Sequence, residues 1–231
     1  MSTQQTNTSK QISDYQALSS TQKTMVRIMA INVGYCRLHA VISCLSDLGH
    51  VNKKTGKEFT PASIQPLQKE LIEKELLLKS SKGICCPESV QQQAVYDALM
   101  EDEFPGIAEG IRKYMSLHNA YTPADTPTYP PNFRSLRIAI FTHNSMETIY
   151  SIAGDEWQNL FQLILNTPFS PEIIDKIAPE IRFKILGVLL RSAGSSLEPA
   201  EEIVSYFSNN FRADAWETSH LLPLIFHSLI C

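Results

Sequence analysis

The sequence predicts a mainly α-helical protein of two domains, and three features carry that prediction. Apolar residues recur at helical spacing along most of the 231 residues, in segments of ordinary helix length. Residues 60–86 read as one amphipathic helix running directly into a short two-stranded hairpin. Charge is divided along the chain: residues 20–83 hold ten basic and five acidic side chains, a net of +5, whereas 84–231 hold nine basic and eighteen acidic, a net of −9. Together these features give an N-terminal winged helix-turn-helix, three helices plus a small β-hairpin, followed by an α-helical repeat-like domain.

Taken in order, residues 1–16 are rich in Gln, Thr and Ser and read as a disordered tail. A winged-helix domain with two extra helices is expected over 17–119. Its first helix covers 21–31, where Met25, Ile28 and Met29 follow a helical spacing after the capping run Ser19-Ser20-Thr21, and Gly34 ends it. The second covers 37–48, with Leu38, Val41, Ile42, Leu45 and Leu48 on one stripe and Gly49 at the position past its end that tolerates a left-handed backbone.

Helix three opens at Thr60-Pro61, a cap followed by a proline in the first turn. Pro66 disturbs its start, since an interior proline removes a backbone hydrogen bond, so either Ser63 is the true cap or the helix kinks. Strands are expected at 76–79 and 84–86, with Ser80-Ser81-Lys82-Gly83 as the tip of the wing. Helices at 88–100 and 104–114, separated by the acidic turn Glu101-Asp102-Glu103, close the domain.

Residues 120–132 contain Pro123, Pro127, Pro130 and Pro131 and form a proline-rich linker. Beyond it, 133–231 is a helical, repeat-like domain with helices at 135–141, 145–152, 156–165, 171–177, 179–192, 199–207 and 216–230. No repeat period is visible, so a degenerate array of helical hairpins is the expectation. Trp157, Phe161, Leu163 and Ile164 belong to its core.

Composition narrows the function classes. The first ten residues lack an apolar core, and no run reaches the length of a membrane span, so a cytoplasmic protein with no membrane association is expected. Five cysteines without C-x-x-C spacing read as reduced thiols, and Cys85 and Cys86, adjacent in a strand, as one buried and one exposed. There is no phosphate-cradling G-x-x-x-x-G-K-[ST], no G-x-G-x-x-G and no H-E-x-x-H. His143 and Glu147 stand four apart and share a helix face, yet two ligands make no metal site. No catalytic residue, metal or cofactor is expected, and the chain is read as no enzyme.

The candidate site is a DNA-binding surface. Stepping about 100° per residue along helix three places Ile64, Leu67, Gln68 and Leu71 inward, and Ala62, Gln65, Pro66, Lys69 and Glu73 outward. Gln65 is of the type that reads adenine edges, a small Ala62 allows close approach, and Ser63 lies beside them. Lys53, Lys54 and Lys57 in the preceding loop, with Lys69, Lys79 and wing-tip Lys82, can neutralise phosphates. Glu70 and Glu73 oppose this, and they motivate the rival expectation of an adaptor or scaffold whose winged helix docks protein.

The run SIQPLQKELIEKELLLKSSKGICCPE, two helices, a proline-rich gap and then FRSLRIAIFTHN resembles the N-terminal region of bacterial Swi/Snf-type DNA translocases of helicase superfamily two. The resemblance covers about the first 145 residues and rests on a pattern without a catalytic signature. It implies an accessory region ahead of a separate ATPase motor on duplex DNA, with residues 133–231 facing a protein partner or the downstream motor domain. The motor's nucleotide and metal motifs are missing here, so no ATPase residue carries over.

Overall fold

The computed structural model describes residues 3–115, 129–130, 132–165, 170–196 and 201–210. These residues are mainly helical, and the sheet among them has two strands. The chain divides into two compact units, Met1–Arg134 and Ser135–Cys231. The linker expected at 120–132 lies outside the described residues except for 129, 130 and 132.

The first unit opens with a correction. Where a disordered tail was expected at 1–16, residues Thr3–Gln16 form helix α1. Composition hid it because α1 docks through polar anchors. Gln11 Nε2 donates to the Glu75 carbonyl at 3.0 Å, Ser89 Oγ donates to Gln11 Oε1 at 2.8 Å, and Tyr15 is fully buried. Tertiary contacts of this kind override a weak local preference.

Helix α2, Ser20–Asn32, is the centre of the unit. Met25, Val26, Ile28, Met29 and Ile31 are all fully buried, so it is apolar around most of its circumference and packs on α5 (Glu88–Met100) and α6 (Phe104–Tyr114). Gln22 Oε1 accepts from Ser19 N and Oγ at 3.2 and 2.7 Å, which fastens the first turn. The left-handed residue that ends α2 is Val33, φ 51°, one position before the expected Gly34.

Helix α3, Leu38–Asp47, ends as expected on Gly49, whose φ is +77° and whose N–H donates to the Ser46 carbonyl at 2.9 Å. Helix α4, Pro61–Glu73, is capped by Thr60. Ser63 N–H donates to Thr60 Oγ1 at 3.2 Å and Thr60 N–H donates back to Ser63 Oγ at 2.8 Å. This reciprocal box settles the question that Pro66 raised, because Ser63 completes the cap without being it. Pro66 sits inside the helix, and both it and Ala62, whose carbonyl loses the bond to residue 66, are exposed, so the missing bond falls on the solvent side of the helix. Thr60→Ala is expected to cost about 1 kcal/mol, read as a lowered urea midpoint with an unchanged slope. An unmoved midpoint would show that Pro61 and Ser63 start the helix unaided.

The hairpin is β1, Leu78–Ser80, against β2, Gly83–Cys85, antiparallel with Leu78 opposite Cys85, Lys79 opposite Ile84 and Ser80 opposite Gly83. It is shorter than the strands expected at 76–79 and 84–86. Leu76 and Leu77 are buried, and both N–H groups donate to the Leu71 carbonyl, at 2.9 and 3.2 Å, closing the end of α4 instead. Ile84 also pairs with Cys36, exchanging backbone hydrogen bonds of 3.0 and 2.9 Å. Cys85 and Cys86 are both 2% exposed, against the expectation of one exposed thiol. Cys86 lies past the end of β2, so strand alternation does not govern it.

In the second unit the described helices are α7, Phe133–Phe141, which begins in the last residues of the first unit, then α8, Met146–Ala153, α9, Trp157–Leu165, α10, Pro171–Asp175, α11, Pro179–Ser196, and α12, Glu201–Asn210. Ser145 caps α8 and Ser170 caps α10 through their hydroxyls. Arg182 Nη1 meets Asp175 Oδ1 at 3.1 Å, and the Tyr206 hydroxyl donates to the same carboxylate. Phe161 is buried as expected, but Leu163 is 49% exposed, which removes it from the core. The helix expected at 216–230 lies outside the described residues.

Candidate nucleic-acid interface

The lysine loop between α3 and α4 is held by Asn52. Its N–H donates to the Lys57 carbonyl at 2.8 Å, its carbonyl accepts from Thr55 and Gly56 at 3.1 and 2.8 Å, and its Oδ1 accepts from Lys54 N–H at 2.9 Å. An asparagine side chain bonding two residues onward fixes a turn. That turn leaves Lys53, Lys54 and Lys57 all exposed.

Along α4 the inward and outward sides fall where helical periodicity put them. Ile64, Gln68 and Leu71 are buried and Leu67 is half-buried, whereas Ala62, Gln65, Pro66, Lys69 and Glu73 are exposed and Ser63 is half-buried in the capping box. The acidic residues on this helix are partnered. Lys74 Nζ donates to Glu70 Oε1 at 2.7 Å and Gln22 Nε2 to its Oε2 at 2.7 Å. The Lys74 bond holds the Glu70 carboxyl below the usual carboxylate range. Lys69 lies 3.6 Å from Glu73, one helical turn on, with both side chains mostly exposed. Such a pair is worth little in water, so Lys69 remains available to exchange Glu73 for another anion.

On the hairpin, Lys79 stands in β1 and Lys82 in the turn, both exposed. The Lys82 N–H donates to Ser80 Oγ at 3.1 Å, which fixes the turn backbone beneath its side chain. The nine candidate residues thus occupy three consecutive pieces of chain, the loop, α4 and the hairpin.

Sequence reasoning missed the groups gathered around the hairpin turn from elsewhere. Arg37 precedes α3, Arg134 is the second residue of α7, and Tyr35 and Tyr114 come from the α2–α3 connection and the end of α6; all line one pocket with Lys82. Arg37 was visible as part of the basic head, whereas Arg134 lies past the proline-rich stretch and carried no local signal. Beside this cluster, Asp47 accepts from Lys113 Nζ at 2.9 Å and from the Tyr114 hydroxyl at 2.9 Å, and these bonds hold its carboxyl below the usual range.

Among the described thiols, Cys36 and Cys44 are not poised for chemistry. Burial pushes Cys36 and Cys44 each up to about 12, which leaves both protonated at neutral pH. The helix face expected for His143 and Glu147 does not form. His143 lies before α8 with φ 57°, and its Nε2 is 3.1 Å from the Lys176 carbonyl. Among the described residues no three His, Cys, Asp or Glu side chains are grouped to hold a metal ion, and no helix is long and apolar enough to cross a membrane. Comparison of the chain with protein-family models, with curated proteins and with solved structures finds no match.

Proposed function

We propose that the chain is a non-catalytic accessory region that engages duplex DNA through a winged helix and offers residues 133–231 as a helical surface to a protein partner or a motor domain. One observation carries the reading. The order α2, the Cys36 bridge, α3, α4, then a hairpin whose second strand returns to Cys36 is the order of a winged helix, in which α4 is the reading helix and the hairpin the wing. Exposed lysines stand on the two segments that flank α4 in sequence, as backbone contacts require, while its outward face offers Gln65 and Ala62 to the groove. The resemblance to the N-terminal regions of Swi/Snf-type translocases agrees in kind.

Fluorescence anisotropy of a labelled duplex across a salt series tests this. Binding is expected to weaken steeply with salt, and the Lys53→Ala/Lys54→Ala/Lys57→Ala variant to flatten the slope by about 2 to 3 if all three lysines touch phosphates. Salt-insensitive binding, or an unchanged slope in the variant, would sink the reading. An adaptor role is favoured by a different observation. Val51, beside the lysine loop, and Leu78, on β1, are 43% and 36% exposed, and apolar side chains so placed suit a protein surface better than a phosphate backbone. That role predicts no duplex binding at any salt.

A further inference from the structure

At the hairpin turn lies a half-enclosed pocket of about 560 Å³. That size falls in the range of about 300 to 1,000 Å³ typical of small-molecule sites, and is far more than a bare inorganic ion fills. Its charge is one-sided. Arg37, Lys82 and Arg134 line it together with His39, and no Asp or Glu is among the described residues that do, although the chain as a whole carries −4. Asp47 reaches Tyr114 from outside that lining and is neutralised by Lys113.

Arg134 gives the pocket a fixed cation. It is 4% exposed, and its Nη1 donates to Asn32 Oδ1 at 2.6 Å, while Asn32 Nδ2 donates to the Gly34 carbonyl at 3.0 Å. The guanidinium is therefore positioned before any ligand arrives, and a charge away from water acts more strongly on an anion than an exposed one. Its planar fork matches phosphate oxygens. Helix α3 begins at the same place: Arg37 at its N-cap makes no side-chain cap, and no acid occupies the first turn. The positive end of that helix adds to the same field. Tyr35 and Tyr114 supply aromatic surface in the remaining wall.

We propose that this pocket binds the phosphate of a nucleotide-sized molecule, with Arg134 and Arg37 as the charged donors and Lys82 closing over it from the hairpin turn. The same chemistry is presented by a free mononucleotide and by a nucleotide unit of a nucleic acid. The pocket shares Lys82 with the DNA-binding surface, but none of the other eight candidates of that surface lines it.

Calorimetric titration of the full chain with adenosine monophosphate, with adenosine and with a short duplex tests the proposal. The variant is Arg37→Gln, an exposed position that lines the pocket, lies outside the nine DNA-binding candidates and leaves the core intact. A tenfold or greater loss of mononucleotide affinity in the variant, with adenosine inert, supports the pocket and assigns it to a free nucleotide. The same loss confined to the duplex supports it and assigns it to nucleic acid. If no probe binds, if the variant binds each as well as the parent, or if adenosine binds as tightly as its monophosphate, the proposal falls. The Lys53→Ala/Lys54→Ala/Lys57→Ala variant is expected to keep mononucleotide affinity, so failure of the DNA reading and failure of the pocket are separately visible.

Discussion

Arg27→Met is expected to destabilise the first unit by about 3 kcal/mol, and removal of both Glu101 and Glu103 by more, about 5 kcal/mol. Arg27 lies in the middle of α2 and is 1% exposed. Its Nη1 and Nη2 donate to Glu101 at 2.8 and 2.7 Å, Nη1 also meets Glu103 at 2.8 Å, Nε donates to the Tyr15 hydroxyl at 3.1 Å, and Asp97 stands 3.9 Å away. One side chain thus ties α2 to α1, to α5 and to the turn between α5 and α6. Burial opposes its charge, but the bonds to Glu101, Glu103 and Tyr15 hold it protonated.

The asymmetry follows from exposure. Glu101 is 54% exposed and Glu103 29%, so without Arg27 both keep water, and methionine refills much of the volume. Glu101→Leu/Glu103→Leu instead leaves the buried guanidinium with the Tyr15 hydroxyl and, 3.9 Å away, Asp97, too few partners for a charge held away from water. Urea denaturation gives both values, and a cost below about 1 kcal/mol for Arg27→Met, or the reverse order, contradicts the account. Against a total stability of about 5 to 15 kcal/mol either loss is large.

The same cluster sets an acid limb. The Arg27 bonds hold the Glu101 carboxyl below the ordinary carboxylate value. Its stabilisation is therefore complete above about pH 4.3 and disappears as pH falls through the depressed value. In Arg27→Met the limb becomes shallower but persists, because Glu70 and Asp47 are depressed by partners of their own.

The cluster also shows which parts of the molecule were legible in the sequence. Glu101-Asp102-Glu103 read as a hydrophilic spacer between two helices, and the spacer was placed correctly. Its partner was not visible, because Arg27 lies 74 residues away and counted only toward the charge of the basic head. Periodicity is local, so it placed both sides of α4 and the ends of α5 and α6 correctly. Side chains that meet across the fold leave no such trace, which is why α1, the burial of Cys86 and the pocket around Arg134 went unseen. The lysine loop and the hairpin lysines were legible because exposure is the default for lysine.

Gly83→Ala is expected to cost about 2 to 4 kcal/mol, from backbone strain and the loss of two hydrogen bonds. Gly83 opens β2 with φ +130°, a conformation hostile to any residue with a Cβ. An added methyl would also stand 2.8 Å from the Cys36 carbonyl carbon and closer still to its oxygen. That carbonyl accepts from Ile84 N–H, so it has no freedom to retreat without breaking the Cys36–Ile84 pairing. Gly49 separates the two effects, since its φ is +77° but nothing lies within 4 Å of where a Cβ would go. Gly49→Ala should then show strain alone, about 1 kcal/mol. Hydrogen exchange locates the difference. In Gly83→Ala the amides of Cys36 and Ile84 should lose protection beyond the global loss, and in Gly49→Ala they should not. Arg37 and Lys82 flank this pairing in sequence, so the Gly83 variant should also loosen the grip of the pocket on a phosphate while α2, α5 and α6 stay packed. Equal costs for the two glycine variants would mean that the backbone of Cys36 yields, and that the hairpin is not anchored where the two hydrogen bonds place it.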